Sequence, residues 1–170
     1  MTTYFIGFFA PLTRFDRFIP PDFTPLPVEQ RHLTLLYLGY LPDPIGACIR
    51  LSSVRHTKLR LEFQGLQAFP NESKPRYLAA VPTLDSQMLL ARLRDGLSQL
   101  FPNCEERYGT FRPHVSIAHT RKKASIDLYE AVLKAVKASR TMSESIIVDK
   151  LCLMSAREGV VRAVCCIDLC

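Results

Sequence analysis

The sequence lacks the features that mark membrane proteins and zinc fingers. No apolar run approaches the roughly 20 residues that a membrane-spanning helix needs, and the apolar segment 4–10 is far too short. No basic residue precedes that segment, and it shows no small-residue cleavage site, so it does not resemble a targeting signal. No two cysteines form C-x-x-C, and none stands at zinc-finger spacing with a histidine. We therefore expect a cytoplasmic chain.

The composition is that of an ordinary globular protein with an excess of positive charge. A chain of 170 residues can form one domain with a proper core, and 48% hydrophobic and 22% charged residues are typical values. The 22 Lys and Arg against 16 Asp and Glu give a formal charge of +6. That charge favours anionic partners such as phosphates or nucleic acid, although many basic proteins bind nothing acidic.

Six cysteines stand at positions 48, 104, 152, 165, 166 and 170. The last three fall in the terminal segment VVRAVCCIDLC, which reads as a strand where cysteine behaves as a small buried hydrophobe. We interpret all six as structural. Disulfides are compatible with this interpretation, but the sequence does not pair them.

The hydrophobic pattern predicts strands and helices in alternation. Residues 11–30 hold five of the twelve prolines, so this segment should be a loop with at most a short helical turn near 13–18. Residues 102–112 are predicted as a second loop. The predicted strands are 4–10, 32–41, 58–69, 76–81 and 114–120, with a closing hairpin of 144–155 and 160–169, and the predicted helices are 43–56, 86–100 and 125–140.

The second half of the chain repeats the pattern of the first. His32 and His114 stand in corresponding strands at an offset of 82, and the following helices begin at the same offset. This repeat predicts two βαβαβ-like lobes related by a pseudo-twofold axis, plus one extra strand. We expect an α+β fold with antiparallel sheets around a central cleft. We expect a single domain over 1–170, with lobes of about 1–72 and 73–170.

The two corresponding strands carry the two H-x-[S/T] motifs of the chain, HLTL at 32–35 and HVSI at 114–117. Strand side chains alternate between faces, so His32 and Thr34 share one face, as do His114 and Ser116. A pseudo-twofold axis would bring the four together on the wall of a cleft. Two imidazoles in opposite protonation states can accept and donate protons near neutral pH, and two hydroxyls can bind an anionic centre. The cluster thus favours phosphoester cleavage without a metal.

Other interpretations compete with this one. A single H-x-T on an apolar strand is more often a hydrogen-bonded structural histidine. A metal site lacks a third ligand, because neither motif contains a carboxylate. His56 near a helix end suggests a surface role. His119 should point away from His114 as long as the strand is regular, so both are left out of the candidate site.

HLTLLYLG and FRPHVSIAH resemble the paired signatures of the 2H phosphoesterase superfamily. Within it, the chain resembles the RNA 2′,3′-cyclic phosphodiesterases, also called 2′-5′ RNA ligases. The similarity covers nearly the whole chain, including the opening strand, Phe111, Pro113 and the closing hairpin. It implies a bilobal fold with the motifs facing across a groove, and hydrolysis of a 2′,3′-cyclic phosphate to a 2′-phosphate.

The resemblance also implies a role for each motif residue. His32 would donate a proton to the leaving 3′ oxygen, His114 would activate water as the base, and Thr34 and Ser116 would bind the phosphate oxygens. No cofactor or metal is expected. The expected partner is RNA with a 2′,3′-cyclic phosphate end, or a cyclic nucleotide, bound by a monomer with no membrane involved.

Two departures from the family pattern concern the second motif. Ser116 stands where threonine is common, and His119 stands where members often carry arginine. Arg121, Lys122 and Lys123 follow at once, and they either replace that charge or form a solvated loop.

Two other functions stay open at the level of sequence. One is a non-catalytic RNA-binding module that uses the basic loops and stacks bases on Tyr37, Tyr40 or Phe111, although the chain has no RNP-like signature. The other is a 2H enzyme for a small cyclic nucleotide or a tRNA-splicing by-product. The sequence also leaves reverse 2′-5′ ligation undecided.

Overall fold

The computed structural model describes residues 1–102 and 110–170. Within these ranges the chain forms nine strands, three α-helices and two 3-10 turns, Asp16–Phe18 and Val28–Gln30. The strands are β1 (Thr3–Phe9), β2 (Thr24–Pro25), β3 (His32–Gly39), β4 (Leu59–Phe69), β5 (Tyr77–Pro82), β6 (Val115–His119), β7 (Ser143–Val148), β8 (Lys150–Arg157) and β9 (Val160–Asp168), and the helices are α1 (Pro44–Leu51), α2 (Leu84–Leu100) and α3 (Ile126–Ala138). Most of the predicted loop 102–112 lies outside the described residues.

The strands form one antiparallel sheet in the order β7-β4-β5-β6-β3-β1-β8-β9, with β2 added beside β6. The α+β class and the antiparallel pairing are confirmed. The motif strands β3 and β6 are neighbours at the centre, so the two predicted sheets are two halves of one continuous sheet. Core residues of the helices, such as Leu90 of α2 and Leu128 of α3, pack on the face that carries Leu33, Val115 and Ala118. The opposite face is left for the motif side chains.

The halves of the sheet are not the halves of the chain. β4, from the first predicted lobe, pairs with β5 and β7, whereas β8, from the second, pairs with β1. Each of these strands thus lies in the half opposite the motif strand that precedes it. The sequence repeat does not distinguish this arrangement from one in which each lobe forms its own half of the sheet. Periodicity indicates which face of a strand is buried and not which neighbour the strand pairs with.

Local chemistry sets the ends of the helices. Asp43 caps α1 by accepting a hydrogen bond from the Gly46 amide at 2.9 Å, and Ser125 caps α3 in the same way at the Leu128 amide. The prediction that the first helix extends to 56 is wrong, because α1 ends at Leu51. The hydroxyl of Ser52 bonds the Ile49 carbonyl there, which satisfies one of the last acceptors of the helix.

Two predictions at the C-terminus need correction. Residues 144–155 do not form one strand: β7 ends at Val148 and joins the edge of the second half, and the closing hairpin is β8 with β9. Cys166, in the edge strand β9, and Cys170, which follows that strand, are both exposed rather than buried. Cys48 is bonded to Cys165 and Cys152 to Cys166, while Cys170 is a free thiol and Cys104 lies outside the described residues.

None of the helices in the described ranges is at once long enough and apolar enough to cross a lipid bilayer.

Candidate active site

The motif strands meet through a single antiparallel bridge, which pairs Leu33 of β3 with Val115 of β6. Both residues are fully buried on the helix-covered face. The pseudo-twofold axis passes through this bridge, because an antiparallel pair of strands has local twofold symmetry about the point where the strands meet. Residues at equal distances from Leu33 and Val115 therefore occupy equivalent places.

His32, Thr34, His114 and Ser116, which we name the motif quartet, surround this bridge on the open face. Continuing the register by one residue places His32 opposite Ser116 and Thr34 opposite His114. The two histidines are then diagonal neighbours, which lie about 7–8 Å apart in a regular ladder. All four side chains are half-buried. The structure thus brings the four predicted site residues together, as the repeat in the sequence suggested.

Each histidine ring is held by the carbonyl two residues before it. Nδ1 of His32 lies 2.8 Å from the Gln30 oxygen, and Nδ1 of His114 lies 2.7 Å from the Arg112 oxygen. A carbonyl oxygen only accepts hydrogen bonds, so each Nδ1 must carry the proton and donate. In both rings, Nε2 is therefore the atom available for proton exchange with a substrate.

A β-bulge in β3 changes which residues share the face of the motif quartet. The pairing of β3 with β1 skips Leu35, and both Leu35 and Leu36 are buried on the helix side. Alternation therefore restarts one residue late. Tyr37, three residues beyond Thr34, returns to the open face.

The same bulge occurs in β6, where the pairing with β5 skips Ile117. Ile117 and Ala118 are both buried on the helix side, and His119 returns to the face of Ser116. The expectation that His119 points away from His114 depended on a regular strand and is wrong for this reason. His119 therefore lies on the open face of the sheet with the motif quartet.

Small residues leave room beside the two hydroxyls. Gly7 of β1 pairs with Thr34, and Ala79 of β5 pairs with Ser116. A Cβ atom at Gly7 would lie 2.1 Å from the Leu33 carbonyl oxygen, so only glycine permits this approach of β1 to β3. Neither neighbour carries a side chain larger than a methyl group that could cover the two hydroxyls.

Burial lowers the pKa of both histidines, but their other neighbours differ. For His32, the hydrogen bond to Gln30 opposes the effect of burial. For His114, the hydrogen bond to Arg112 likewise raises the pKa, but the positive charges of Arg112 and His32 lower it further. The neutral form is thus favoured by more causes at His114, and the two rings lie close enough for one charge to affect the other.

The two residues before His32, Gln30 and Arg31, connect its strand to neighbouring segments. The side-chain amide of Gln30 makes two hydrogen bonds with the backbone of Val161 in β9, donating at 3.1 Å and accepting at 2.8 Å. Arg31 is only 1% exposed and forms an ion pair with Asp16 at 2.6 Å. Arg31 also donates hydrogen bonds to the Leu26 carbonyl, and these bonds hold the proline-rich segment 11–30 against β3.

The surroundings of His114 are aromatic and cationic. The ring of Phe69 stacks on the imidazole, with centroids 4.1 Å apart and planes inclined by 18°. The guanidinium of Arg112 lies 4.4 Å from the centroid of the same phenyl ring and donates to the Pro70 carbonyl. His32 has a looser aromatic contact, with the Phe5 ring centroid at 5.1 Å.

Several of these supporting residues carried no signal in the sequence. Gln30, Phe69 and Arg112 are brought to the histidines by backbone geometry and strand pairing, and a single sequence does not encode either as a motif. The bulges did leave a trace, since Leu35-Leu36 and Ile117-Ala118 break the alternation at equivalent places. In the described ranges, no three metal-binding side chains of the His, Cys, Asp or Glu type stand together. His56 lies outside the motif quartet and bonds the Thr57 carbonyl.

Curated proteins similar in sequence match part of this chain. An RNA 2′,3′-cyclic phosphodiesterase of Aeropyrum pernix is 32% identical over 97 residues, which is 55% of this chain and 54% of that protein. A Thermus thermophilus protein of the same name is 34% identical over 110 residues, 59% of this chain and 54% of that protein. The matched part thus spans about half the length of each relative.

Solved structures share the fold over almost the whole chain. A Thermus thermophilus crystal structure superposes with a TM-score of 0.68 at 20% identity, covering 98% of this chain and 97% of the other. Escherichia coli LigT complexed with 3′-AMP gives a TM-score of 0.64 at 16% identity, covering 99% and 98%. The pattern of the family described as the 2′-5′ RNA ligase superfamily matches residues 11–160, which include the whole motif quartet. The chain therefore belongs to the 2′-5′ RNA ligase superfamily.

Proposed function

We propose that the protein is an RNA 2′,3′-cyclic phosphodiesterase that produces 2′-phosphate ends by metal-independent catalysis with two histidines. The observation that carries the proposal is the motif quartet around the central bridge, with both Nε2 atoms available and a hydroxyl opposite each imidazole. The names of the curated relatives and the net charge of +6 support an RNA substrate. The rival substrate is a small cyclic nucleotide, which presents the same reacting group.

In the proposed reaction, Nε2 of His114 accepts a proton from a water molecule as its oxygen attacks phosphorus. The bond between phosphorus and the 3′ oxygen breaks, and Nε2–H of His32 donates its proton to that oxygen. The product keeps the phosphate on the 2′ oxygen, with His32 neutral and His114 charged. Release of one proton from His114 to solvent and uptake of one proton by His32 restore both rings. Each proton transfer typically contributes about 10²–10⁴ in rate.

The hydroxyls of Thr34 and Ser116 would donate to the two non-bridging phosphate oxygens. Their contribution grows as negative charge develops on these oxygens in the transition state. A 5′-hydroxyl in place of water would give a 2′–5′ linkage by the same proton transfers, which is how the site could also perform ligation.

The electrostatics support the same assignment of acid and base. A general base must be neutral before it acts, and burial, Arg112 and a charged His32 all lower the pKa of His114. A charged His32 therefore favours a neutral His114, and this pair of states is the one that the reaction consumes.

The test is turnover of adenosine 2′,3′-cyclic phosphate in EDTA, with the product isomer identified by ³¹P NMR. We expect the 2′-phosphate at an undiminished rate, and none from a His32→Ala/His114→Ala variant. His56→Ala is the matched control, because it removes a histidine whose Nδ1 makes the same kind of carbonyl bond outside the site. Activity lost with the chelator and restored by Zn²⁺ or Mn²⁺ would contradict the metal-free mechanism.

A further inference from the structure

The bulge in β6 extends the row of polar residues beyond the motif quartet. His114, Ser116 and His119 lie on one face of the strand, and His119 stands one ladder repeat, roughly 7 Å, past Ser116. Two direct neighbours of His119, Tyr77 on β5 and Thr24 on β2, share this face. His119 is thus displaced from the bridge along the direction of the strand, where a second group of an extended substrate would lie.

A cavity of about 510 Å³ opens at this end of β6. It is of the size of ordinary small-molecule sites. His119 connects it to the face of the motif quartet. The lining residues are Asp22, Thr24, His119, Thr120, Arg121 and Lys122.

Residues 120–122, which we name the basic turn, border the cavity and are held by hydrogen bonds to two other segments of the chain. Thr120 is buried, its hydroxyl donates to the Asp22 carbonyl at 2.9 Å, and it accepts from the Lys122 amide. The guanidinium of Arg76 donates to the Lys122 carbonyl at 3.2 Å, and the Arg76 carbonyl accepts from the Thr120 amide. The turn is therefore attached both to the proline-rich segment 11–30 and to Arg76, the residue before β5, which would hold its side chains in place.

The charges at the cavity are unevenly paired. Lys122 forms an ion pair with Asp22, which largely neutralises the carboxylate that lines this space. Arg121 is exposed and forms no ion pair with any residue in 1–102 or 110–170. An anion in the cavity would therefore meet the guanidinium of Arg121 and the imidazole of His119 without an opposing free carboxylate.

We propose that this cavity binds the phosphate on the 5′ oxygen of the terminal nucleoside, an inference that rests on the proposed function. An RNA strand that ends in a 2′,3′-cyclic phosphate has all of its other phosphates on the 5′ side. The first of them is separated from the reacting phosphorus by one ribose. His119 and Arg121 would bind its oxygens while the cyclic phosphate occupies the motif quartet, so that the site distinguishes strand ends from free cyclic nucleosides.

The test uses two small substrates that differ only in this phosphate, adenosine 2′,3′-cyclic phosphate and its 5′-phosphorylated form. We expect kcat/KM to be on the order of tenfold higher for the 5′-phosphorylated substrate, because a charged hydrogen bond is worth about that factor. In a His119→Ala/Arg121→Ala variant this ratio should fall to near one. The ratio cancels the concentration of folded enzyme, so partial misfolding of the variant does not imitate the effect.

Lys134→Ala is the control, because it removes one positive charge from an exposed position on α3, on the helix-covered side. It should keep the full preference for the 5′-phosphate. A double variant with an unchanged ratio, or a Lys134 variant that loses the preference equally, would overturn the subsite and leave the proposed function intact. If neither substrate is hydrolysed by the unaltered enzyme, the proposed function itself fails.

Discussion

The two halves of the site place equivalent residues in different surroundings. In the first half, the two residues before His32 make the supporting contacts: Gln30 bonds to β9, and Arg31 pairs with Asp16 of the proline-rich segment 11–30. The His32 ring itself has one loose aromatic neighbour. On the second half, Phe69 stacks tightly on His114 and the charge of Arg112 lies beside it. The first ring is positioned by a hydrogen-bonded framework, and the second by an aromatic stack under a positive charge.

This difference shows how a symmetric fold can support an asymmetric reaction. The bridge at Leu33 and Val115 places two imidazoles and two hydroxyls equivalently, whereas in the proposed reaction one imidazole begins charged and the other neutral. Positions alone do not set these states. The unlike neighbours favour different states, because the cation Arg112 beside His114 lowers the pKa of that ring, whereas among the described residues no such cation lowers the pKa of His32.

The largest expected effect comes from removing either ring. His32→Ala and His114→Ala should each lower kcat by about 10²–10⁴, with a smaller change in KM because the proposed phosphate ligands, Thr34 and Ser116, are retained. A substrate with an activated leaving group needs no general acid, so it should largely restore the His32 variant and leave the His114 variant impaired. Rescue of the His114 variant instead would reverse the roles, and full activity in both variants would remove the catalytic interpretation.

The next largest effect is on stability, and it compares the close approach of β1 to β3 with that of β5 to β6. Gly7→Ala should destabilise the fold by roughly 3 kcal/mol, because a Cβ atom there meets the Leu33 carbonyl and overpacking of this kind costs about that much. Ala79 occupies the equivalent place beside Ser116, and Ala79→Gly should cost only about 1 kcal/mol. Urea unfolding of both variants measures the difference. Equal losses of stability would show that the two approaches are not distinct.

A smaller effect tests the framework around His32. Gln30→Leu removes both hydrogen bonds to Val161 but keeps the carbonyl that holds the ring, so we expect a drop in kcat of roughly tenfold or less and a loss of about 1–2 kcal/mol in stability. The matched control is Gln64→Leu, which removes a side-chain bond to the Arg140 carbonyl away from the site.

Histidine NMR distinguishes positioning from general loosening in the same variants. Gln30→Leu should shift the ring ¹⁵N signals of His32 and leave those of His114 in place. Gln64→Leu should shift neither. If Gln30→Leu lowers stability without moving the His32 signals, Gln30 is a structural residue only.

The sequence predicted the motif quartet because its signal is local in the chain and repeated. Two H-x-[S/T] motifs on apolar strands at one offset fix which side chains share a face, and the sheet then had few ways to arrange them. The exchange of β4 and β8 between the halves, and the side chain contacts of Gln30 and Phe69, depend on pairing between distant segments. The face of His119 was mistaken because a single inserted residue in β6 reverses the alternation, and the doubled apolar residues Ile117-Ala118 were its trace in the sequence.

The smallest expected effect changes the charge beside His114 and leaves its ring and carbonyl in place. Arg112→Gln removes one cause that lowers the pKa of His114, so this pKa should rise. A general base acts in its neutral form, and kcat/KM falls as the pH drops through its pKa in the free enzyme. The acid limb of the pH profile should therefore move to higher pH, while the rate well above the limb changes little. Salt should shift the limb of the unaltered enzyme in the same direction, because Arg112 is exposed and its charge is screened.

Arg50→Gln is the control for that shift, since Arg50 on α1 also lies over a phenyl ring, that of Phe101 at 4.9 Å, on the opposite side of the sheet. It removes the same charge and the same kind of ring contact outside the motif quartet, so its acid limb should stay in place. A limb that moves equally in both variants would reflect net charge alone. A limb that moves in neither would mean that Arg112 does not set the protonation of His114, and the difference between the two halves would then depend on burial and hydrogen bonding.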